Sequence, residues 1–212
     1  MKSPIKCLSL LLMFGILSCK IQNNKVELEL EKCVVQSVNA HIKNGNGKLS
    51  FDFYDFILQI EDILIENGLL QNTKRSEYSQ LLTSLNNYND YNKIYKKIMK
   101  KVDNSGFGFN LFLVNDAIFN QCPYKVSVDE KEGEGKLVFN QGKILNQIME
   151  QGYDDNNLQK KLLDNIDDES FRKIVYRAPV ILLIMINLDR QYNADLKSFE
   201  ERQKGKKFLN KN

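Results

Sequence analysis

Apolar side chains recur along most of this chain three and four residues apart, which is the repeat of α-helices that bury one face. The faces in the first half of the chain are Leu30, Val34, Val38 and Ile42; Phe53, Phe56, Ile57, Ile60 and Leu64; Tyr78, Leu81, Leu82 and Leu85; and Ile94, Tyr95, Ile98, Met99 and Val102. Those in the second half are Ile144, Leu145, Ile148 and Met149; Leu158, Leu162 and Ile166; and Phe171, Ile174, Val175 and Ala178. The pattern predicts a mainly α fold, in a single domain of about seven or eight helices.

Polar residues at the ends of these faces indicate where helices begin and end. Ser50 can cap the second helix, Asp52 suits its positive N-terminal end, and Gly68 suits its exit. The acidic pairs Asp154-Asp155 and Asp167-Asp168 stand where further helices should start. A carboxylate at a helix N-terminus is stabilising by itself, so we interpret these acidic runs as structural before catalytic.

Three segments depart from the helical repeat. Tyr124 to Val128 and Lys136 to Phe139 are β-prone runs with a polar stretch between them, so we predict one small β-hairpin. Residues 107–119 fit a strand or a helix equally well. Val180 to Leu188 is almost wholly apolar and follows Pro179. Nine residues cannot span a bilayer, and we expect a centrally buried helix there, with a buried strand as the alternative.

The N-terminus has the composition of a secretory signal peptide. Lys2 and Lys6 precede a mostly apolar run, Leu8 to Leu17, which is too short for the ~20 residues of a membrane span. The run ends in Ile16-Leu17-Ser18-Cys19, which resembles the lipobox of bacterial lipoproteins, with Ile in place of the commoner Leu. The resemblance covers only the first 19 residues. It implies cleavage before Cys19, diacylation of the Cys19 thiol and attachment to a membrane through that lipid.

This resemblance also divides the chain and suggests a compartment. We assign residues 1–18 to the signal peptide, 19–25 to a tether, 26–203 to the helical domain and 204–212 to a basic tail. In bacterial lipoproteins Asp after the lipidated Cys often marks retention in the inner membrane, and here Lys20 follows Cys19. We therefore expect an anchor in the outer membrane that faces the periplasm.

Cys33 and Cys122 are the two cysteines that remain in the domain. An even pair in an oxidising compartment is typical of a disulfide. Two buried thiols that never meet would give the same sequence, so the pattern leaves the pairing open.

Composition excludes some classes of function. The 212 residues include 30 Lys and Arg against 27 Asp and Glu, and a net charge of +3 gives no sign of a nucleic-acid binder. A single histidine, His41, rules out sites that need two imidazoles. The Asn-Gly segment at residues 44–47 resembles a calcium loop, but Ile42 and Phe53 would stand at ligand positions that need oxygen. We identify no metal site, no catalytic motif and no cofactor fingerprint.

One charged surface stands out in the sequence. Lys93, Lys96, Lys97, Lys100 and Lys101 form a basic face on the fourth predicted helix. A solvated surface is the simplest interpretation, and contact with anionic lipid or an acidic partner is the functional one. Size, lipidation and the lack of chemical motifs together favour a non-enzymatic protein-binding module, such as an envelope-assembly factor or an immunity-type lipoprotein. The alternative is a cell-wall or glycan hydrolase that uses paired carboxylates.

Overall fold

The computed structural model describes residues 25–40, 51–85, 90–105, 117–127 and 133–193. Helix α1 covers residues 25–40. It is followed by α2 (Phe53–Glu66), α3 (Arg75–Leu85), α4 (Asn92–Ser105), α5 (Cys122–Ser127), α6 (Gly133–Gln151), α7 (Asn156–Asp164), α8 (Asp168–Phe171) and α9 (Ile174–Tyr192). A π-helical turn, Ala117–Gln121, leads into α5. Since the described residues contain no strand, the prediction of a mainly α fold is confirmed.

The fold is organised around α9, whose residues 175–189 are all buried. This helix contacts α2, α3, α4 and α8. The buried-helix interpretation of Val180 to Leu188 is therefore confirmed, and the alternative of a strand is wrong. Pro179 lies inside the helix and has no N–H for the carbonyl of Val175. At the neighbouring residue, buried Gln141 donates from Nε2 to the carbonyl oxygen of Tyr176 at 2.8 Å, so α6 adds a side-chain hydrogen bond beside the interruption.

The apolar faces read from the sequence build one continuous core. The predicted faces of α2 and α3 are buried in full, and so are Leu30, Val34 and Val38 of α1. Residue Ile42 of that first face lies outside the described residues. On α4 only Ile98 and Val102 are fully buried, because this helix packs against α2 and α9 from one side. The helical period therefore located the core correctly.

The β-hairpin prediction is wrong. The described parts of both runs are helical, in α5 and in α6. In α6, Val138 and Leu145 are buried two turns apart while Phe139 is exposed, which is a helical and not an alternating pattern. The β propensity of these four residues is outweighed because Val138 continues the apolar face of Ile144, Leu145 and Ile148. One longer helix therefore buries all of these side chains. The predicted face of Phe171, Ile174, Val175 and Ala178 is divided between α8 and the start of α9. With α5 as a further helix, the described residues contain nine α-helices and one π-helical turn.

Several helix ends are capped by residues that the sequence suggested. Asp155 and Asp167 cap α7 and α8 as predicted. At α2 the N-cap is Asp52, whose carboxylate accepts from the N–H of Asp55, and not Ser50, which itself lies outside the described residues. At the other end of α2 Gly68 has φ of 74° and donates to Ile65 O at 2.9 Å, while Leu69 donates to Leu64 O at 2.9 Å. Paired bonds of this kind close a helix at a left-handed glycine.

The predicted boundaries differ slightly from the observed ones. Residue 25, assigned to the tether, is already helical in α1, and α9 ends at Tyr192. The signal peptide, most of the tether, the end of the predicted helical domain and the basic tail lie outside the described residues. None of the described helices combines the length and the apolar character that a membrane span requires.

Candidate functional site

Within the described part of the chain, exposed aromatic side chains line a groove between the π-helical turn, α5 and α6. It encloses about 330 Å³. Tyr124 of α5 is 60% exposed and Phe139 of α6 is 41% exposed, and both line it. The remaining lining side chains are polar, apart from one glycine: Asn120, Gly142, Lys143, Asn146, Gln147 and Glu150. An apolar pair inside a polar surround is the composition of a small binding groove.

Local sequence explains how the groove forms. Phe139, Gly142 and Asn146 are three and four residues apart, so they share one face of α6. Gly142 has no side chain, and this leaves a depression between its larger neighbours. Opposite, buried Cys122 and Pro123 anchor α5 and direct the adjacent Tyr124 outward. The two aromatic rings are therefore held on helices and not on loops, which favours a preformed site.

A disulfide secures this part of the fold. The Sγ atoms of Cys33 and Cys122 are 2.16 Å apart and their Cα atoms 5.7 Å apart, across a sequence separation of 89. The structure thus links α1 covalently to α5. Asn39 adds a second attachment for α1, because its side-chain amide accepts from Phe51 N–H at 2.7 Å and donates to Phe51 O at 3.0 Å. Helix α1 is therefore fixed to the body at both points.

The basic face of α4 is present as predicted from the sequence. Lys93, Lys96, Lys97 and Lys100 are exposed and Lys101 is half-buried. Lys97 donates to the side-chain oxygen of Asn67, the C-cap of α2, at 2.5 Å. Over the described part of the chain, no salt bridge joins any of the five lysines to a carboxylate. Their charge is therefore available to a partner outside the chain.

The most deeply buried charges belong to an internal network that sequence reasoning missed. Arg177 donates from Nε and Nη2 to the two oxygens of Glu61 at 2.6 and 3.0 Å, and from Nη1 to the carbonyls of Phe171 and Arg172. Tyr78 donates its hydroxyl to the same carboxylate. Burial alone would lower the pKa of Arg177, but the hydrogen bonds and charge of Glu61 raise it above its usual value. This network joins α2, α3, α8 and α9, and its groups are committed to one another.

A second charged cluster lies at the start of α9. Lys173, its N-cap, contacts Glu27 of α1 at 2.6 Å and Glu134 of α6 at 3.0 Å. Burial lowers the pKa of Lys173, but the hydrogen bonds to both glutamates more than offset it, and the pKa is raised. Oε2 of Glu134 and the hydroxyl of Tyr176 are buried without a hydrogen-bond partner among the described residues. The Lys173 ammonium compensates the charge of both carboxylates, so these ion pairs hold α1 and α6 at the start of α9.

A polar pocket of about 510 Å³ lies between the start of α3 and the ends of α7 and α8. Asp164 and Asp168 both line it, together with several cationic and hydroxyl side chains. Asp168 is paired with Arg75 Nε at 3.1 Å and its side chain is 76% exposed. Arg75 also donates to the carbonyls of Leu163 and Ile166, so this arginine mainly ties α3 to the end of α7.

The sequence-predicted site residues have separate locations. Cys19 lies outside the described residues, as does His41; Cys33 and Cys122 meet; and the lysines of α4 form a face of their own. In the acidic runs, Asp155 and Asp167 cap helices, and Asp154 and Asp168 form salt bridges at the surface. Within the described ranges no three His, Cys, Asp or Glu side chains form a group that could hold a metal ion.

Sequence reasoning also missed the aromatic groove. Tyr124 and Phe139 were assigned to strands of a hairpin, where one face is normally buried. Once both segments are placed on helices, Phe139 falls one residue outside the buried row of Val138 and Leu145. A helical reading of 133–151 would therefore have identified it as an exposed aromatic residue.

No protein-family model, no curated protein and no solved structure gives a significant match to this chain.

Proposed function

We propose that this chain is a lipid-anchored envelope protein whose helical domain binds another protein without catalysis. The observation that carries the proposal is the groove rimmed by exposed Tyr124 and Phe139. Aromatic side chains are enriched at the centres of protein interfaces, where they are surrounded by polar groups that exclude water. The partner surface would supply an apolar side chain to the groove and polar groups to its rim.

The polar rim suits such a partner. Asn146 donates to Glu150 at 2.9 Å along one side of α6, and Lys143 and Gln147 stand on the same helix face. These side chains present donors and acceptors of both charges around an apolar centre. Because the disulfide joins α5 to α1, the groove also has a defined position relative to the helix that follows the tether.

The proposed compartment rests on two features. The lipobox-like segment ending at Cys19 supports lipid attachment, and the Cys33–Cys122 disulfide supports an oxidising compartment such as the periplasm. Growth with an alkyne-tagged palmitate should label the protein, and Cys19→Ala should remove the label. A wild-type chain that stays unlabelled, with an intact first 18 residues by mass spectrometry, would rule out the lipoprotein assignment.

Photo-crosslinking at the groove tests the binding function. Tyr124 is replaced by p-benzoylphenylalanine in the full chain, and the same probe is placed at Leu58, a 39% exposed apolar residue on α2, as the control. We expect the probe at position 124 to crosslink to one protein, and the probe at position 58 not to crosslink to that protein. Adding Phe139→Ala to the probe variant should weaken that crosslink by about tenfold, since loss of an interface aromatic costs on the order of 1–2 kcal/mol.

Two results would contradict the binding proposal. One is an equal crosslink from positions 124 and 58, which indicates collision and not binding. The other is a crosslink that survives Phe139→Ala unchanged while the variant stays folded by circular dichroism.

Glycan hydrolysis is the second candidate, because Asp164 and Asp168 line one pocket of about 510 Å³. Two carboxylates in a cleft are the minimum for acid–base hydrolysis. However, both are exposed, and burial is the usual means by which a protein keeps a general acid protonated. Incubation of the full chain with cell-wall fragments should release reducing ends only if this candidate is correct. Asp164→Asn should then abolish that release.

A further inference from the structure

The basic face of α4, formed by Lys93, Lys96, Lys97, Lys100 and Lys101, has no role in the groove. At about 100° per residue these side chains share an arc of about 140° on the helix. Asp103 is the one acidic residue of α4 and falls at the edge of that arc. From the first lysine to the last the face runs about 12 Å along the axis at about 1.5 Å per residue. It is a continuous strip of one sign of charge.

We propose that this strip binds the surface of an anionic phospholipid bilayer. Each Lys near such a surface gains about 1 kcal/mol, or about fivefold in affinity. Four of the five side chains are exposed and none is neutralised by a carboxylate in the described residues. The contact would fix which side of the domain faces the membrane.

The chemistry of the strip favours lipid over an acidic protein. All five cations are lysines, which are compact point charges on flexible stems. Recognition of specific carboxylates favours arginine, whose planar fork forms two bonds at once. A bilayer instead presents many mobile headgroups, for which several independent flexible charges are sufficient.

The structure also defines how the strip would bind. A basic amphipathic helix read from sequence alone can insert its apolar face into a membrane. In this fold Ile98 and Val102 of α4 are already buried against the core, where the helix contacts α2 and α9. All the fully exposed side chains of α4 are polar or charged, so binding is electrostatic and superficial. It should therefore require anionic lipid and weaken as salt shortens the screening distance.

The test measures sedimentation of the full chain with vesicles. One set is phosphatidylcholine alone, and the other contains phosphatidylglycerol at roughly three parts in ten, which gives an anionic surface. The variant is Lys93→Glu/Lys96→Glu/Lys100→Glu, which leaves Lys97 to its hydrogen bond with Asn67. The control is Lys32→Glu/Lys136→Glu/Lys160→Glu, which has the same net charge and changes exposed lysines scattered over α1, α6 and α7.

We expect the wild-type chain to bind anionic vesicles more tightly than neutral ones. In the α4 variant this preference for anionic vesicles should fall at least about 100-fold, because each of the three lysines contributes about fivefold in affinity. In the control it should fall much less. Salt should reduce the excess for the wild type. The N-terminal residues and the basic tail are the same in all three proteins, so the difference between the α4 variant and the control isolates the strip.

Three outcomes would overturn the proposal. Equal losses in the variant and the control would show an effect of net charge alone. An unchanged excess in the α4 variant would exclude the strip. Capture on immobilised polyglutamate that depends on the strip, combined with unchanged vesicle binding, would assign it to an acidic protein. Tyr124→Ala should leave vesicle binding intact, so failure here is separate from failure of the groove.

Discussion

Arg177 and Glu61 are 116 residues apart in the sequence, yet the guanidinium of Arg177 holds both oxygens of the Glu61 carboxylate, at 2.6 and 3.0 Å. Both side chains are almost fully buried, at 6% and 4% exposure. Taking two charges out of water is costly, and the pair is stable because every group finds a partner in Tyr78 or in the carbonyls at the end of α8. The pair therefore holds α2 and α9 in one relative position.

Removal of either partner from this pair should destabilise the protein strongly. Arg177→Met or Glu61→Leu leaves a buried charge alone and should lower the free energy of unfolding by about 3–5 kcal/mol. The double variant should lose clearly less free energy of unfolding than the two single variants added together. Urea denaturation of the four proteins gives the coupling energy. Additive losses would show that the two side chains contribute independently and would contradict a coupled network.

Two fully buried tyrosines offer a matched comparison. The Tyr78 hydroxyl donates to the carboxylate of Glu61, while the Tyr176 hydroxyl is buried without a hydrogen-bond partner among the described residues. Tyr78→Phe should therefore destabilise the protein by about 1.5–3 kcal/mol, the usual contribution of a hydrogen bond to a charged group. Tyr176→Phe should destabilise the protein clearly less, because its hydroxyl lies beside the Glu134 carboxylate but forms no hydrogen bond of good geometry with it. Thermal unfolding compares the two, and equal losses would contradict this assignment.

The disulfide should account for a large part of the stability. It closes a loop across a sequence separation of 89, and constraint of so long a loop in the unfolded chain contributes about 2–5 kcal/mol. Reduction of the wild type should lower its free energy of unfolding by this amount. The same reductant should not change the stability of Cys33→Ala/Cys122→Ala. Peptide mass spectrometry should find these two cysteines alkylated only after reduction. Alkylation of both without reductant would show free thiols.

Asp167 should make the protein sensitive to acid at one helix end. Its carboxylate accepts from Ser170 N–H at 2.8 Å and from the Ser170 hydroxyl at 2.9 Å. The hydrogen bond from Ser170 N–H lowers the pKa of Asp167 below the usual 3.8, and this effect exceeds the opposing effect of burial. A carboxyl with a depressed folded pKa stabilises fully above its unfolded pKa, and this contribution is lost as pH falls through the folded pKa.

Asp167→Asn tests this pH dependence, because Asn keeps the capping oxygen but not the charge. We expect the variant to be less stable than wild type at neutral pH by at most about 1 kcal/mol. The two stabilities should converge as pH falls below 3.8. Urea denaturation across pH 3–6, given as an approximate range around the Asp pKa, measures the difference. A difference that stays constant over that range would show that the charge has no role.

Local patterns in the sequence were sufficient to identify most helices and their caps. Ile144, Leu145 and Ile148 follow a helical repeat. Asp155 and Asp167 begin helices because a side-chain oxygen bonds to N–H groups two or three residues away. The hairpin prediction failed for the opposite reason. The run from Lys136 to Phe139 is β-prone alone, and it becomes helical because burial of Val138 with Leu145 outweighs that preference.

The sequence by itself determined the helical class, the apolar faces and the presence of a basic strip, since these depend on residues three and four apart. Only the tertiary structure decided that Glu61 meets Arg177, that Cys33 meets Cys122, and that Tyr124 and Phe139 rim one groove. These relationships join residues that are distant in the chain, and no local repeat encodes which helix faces which. Tertiary packing also buried the apolar side of α4 in the core, because the hydrophobic effect acts on the whole assembled surface.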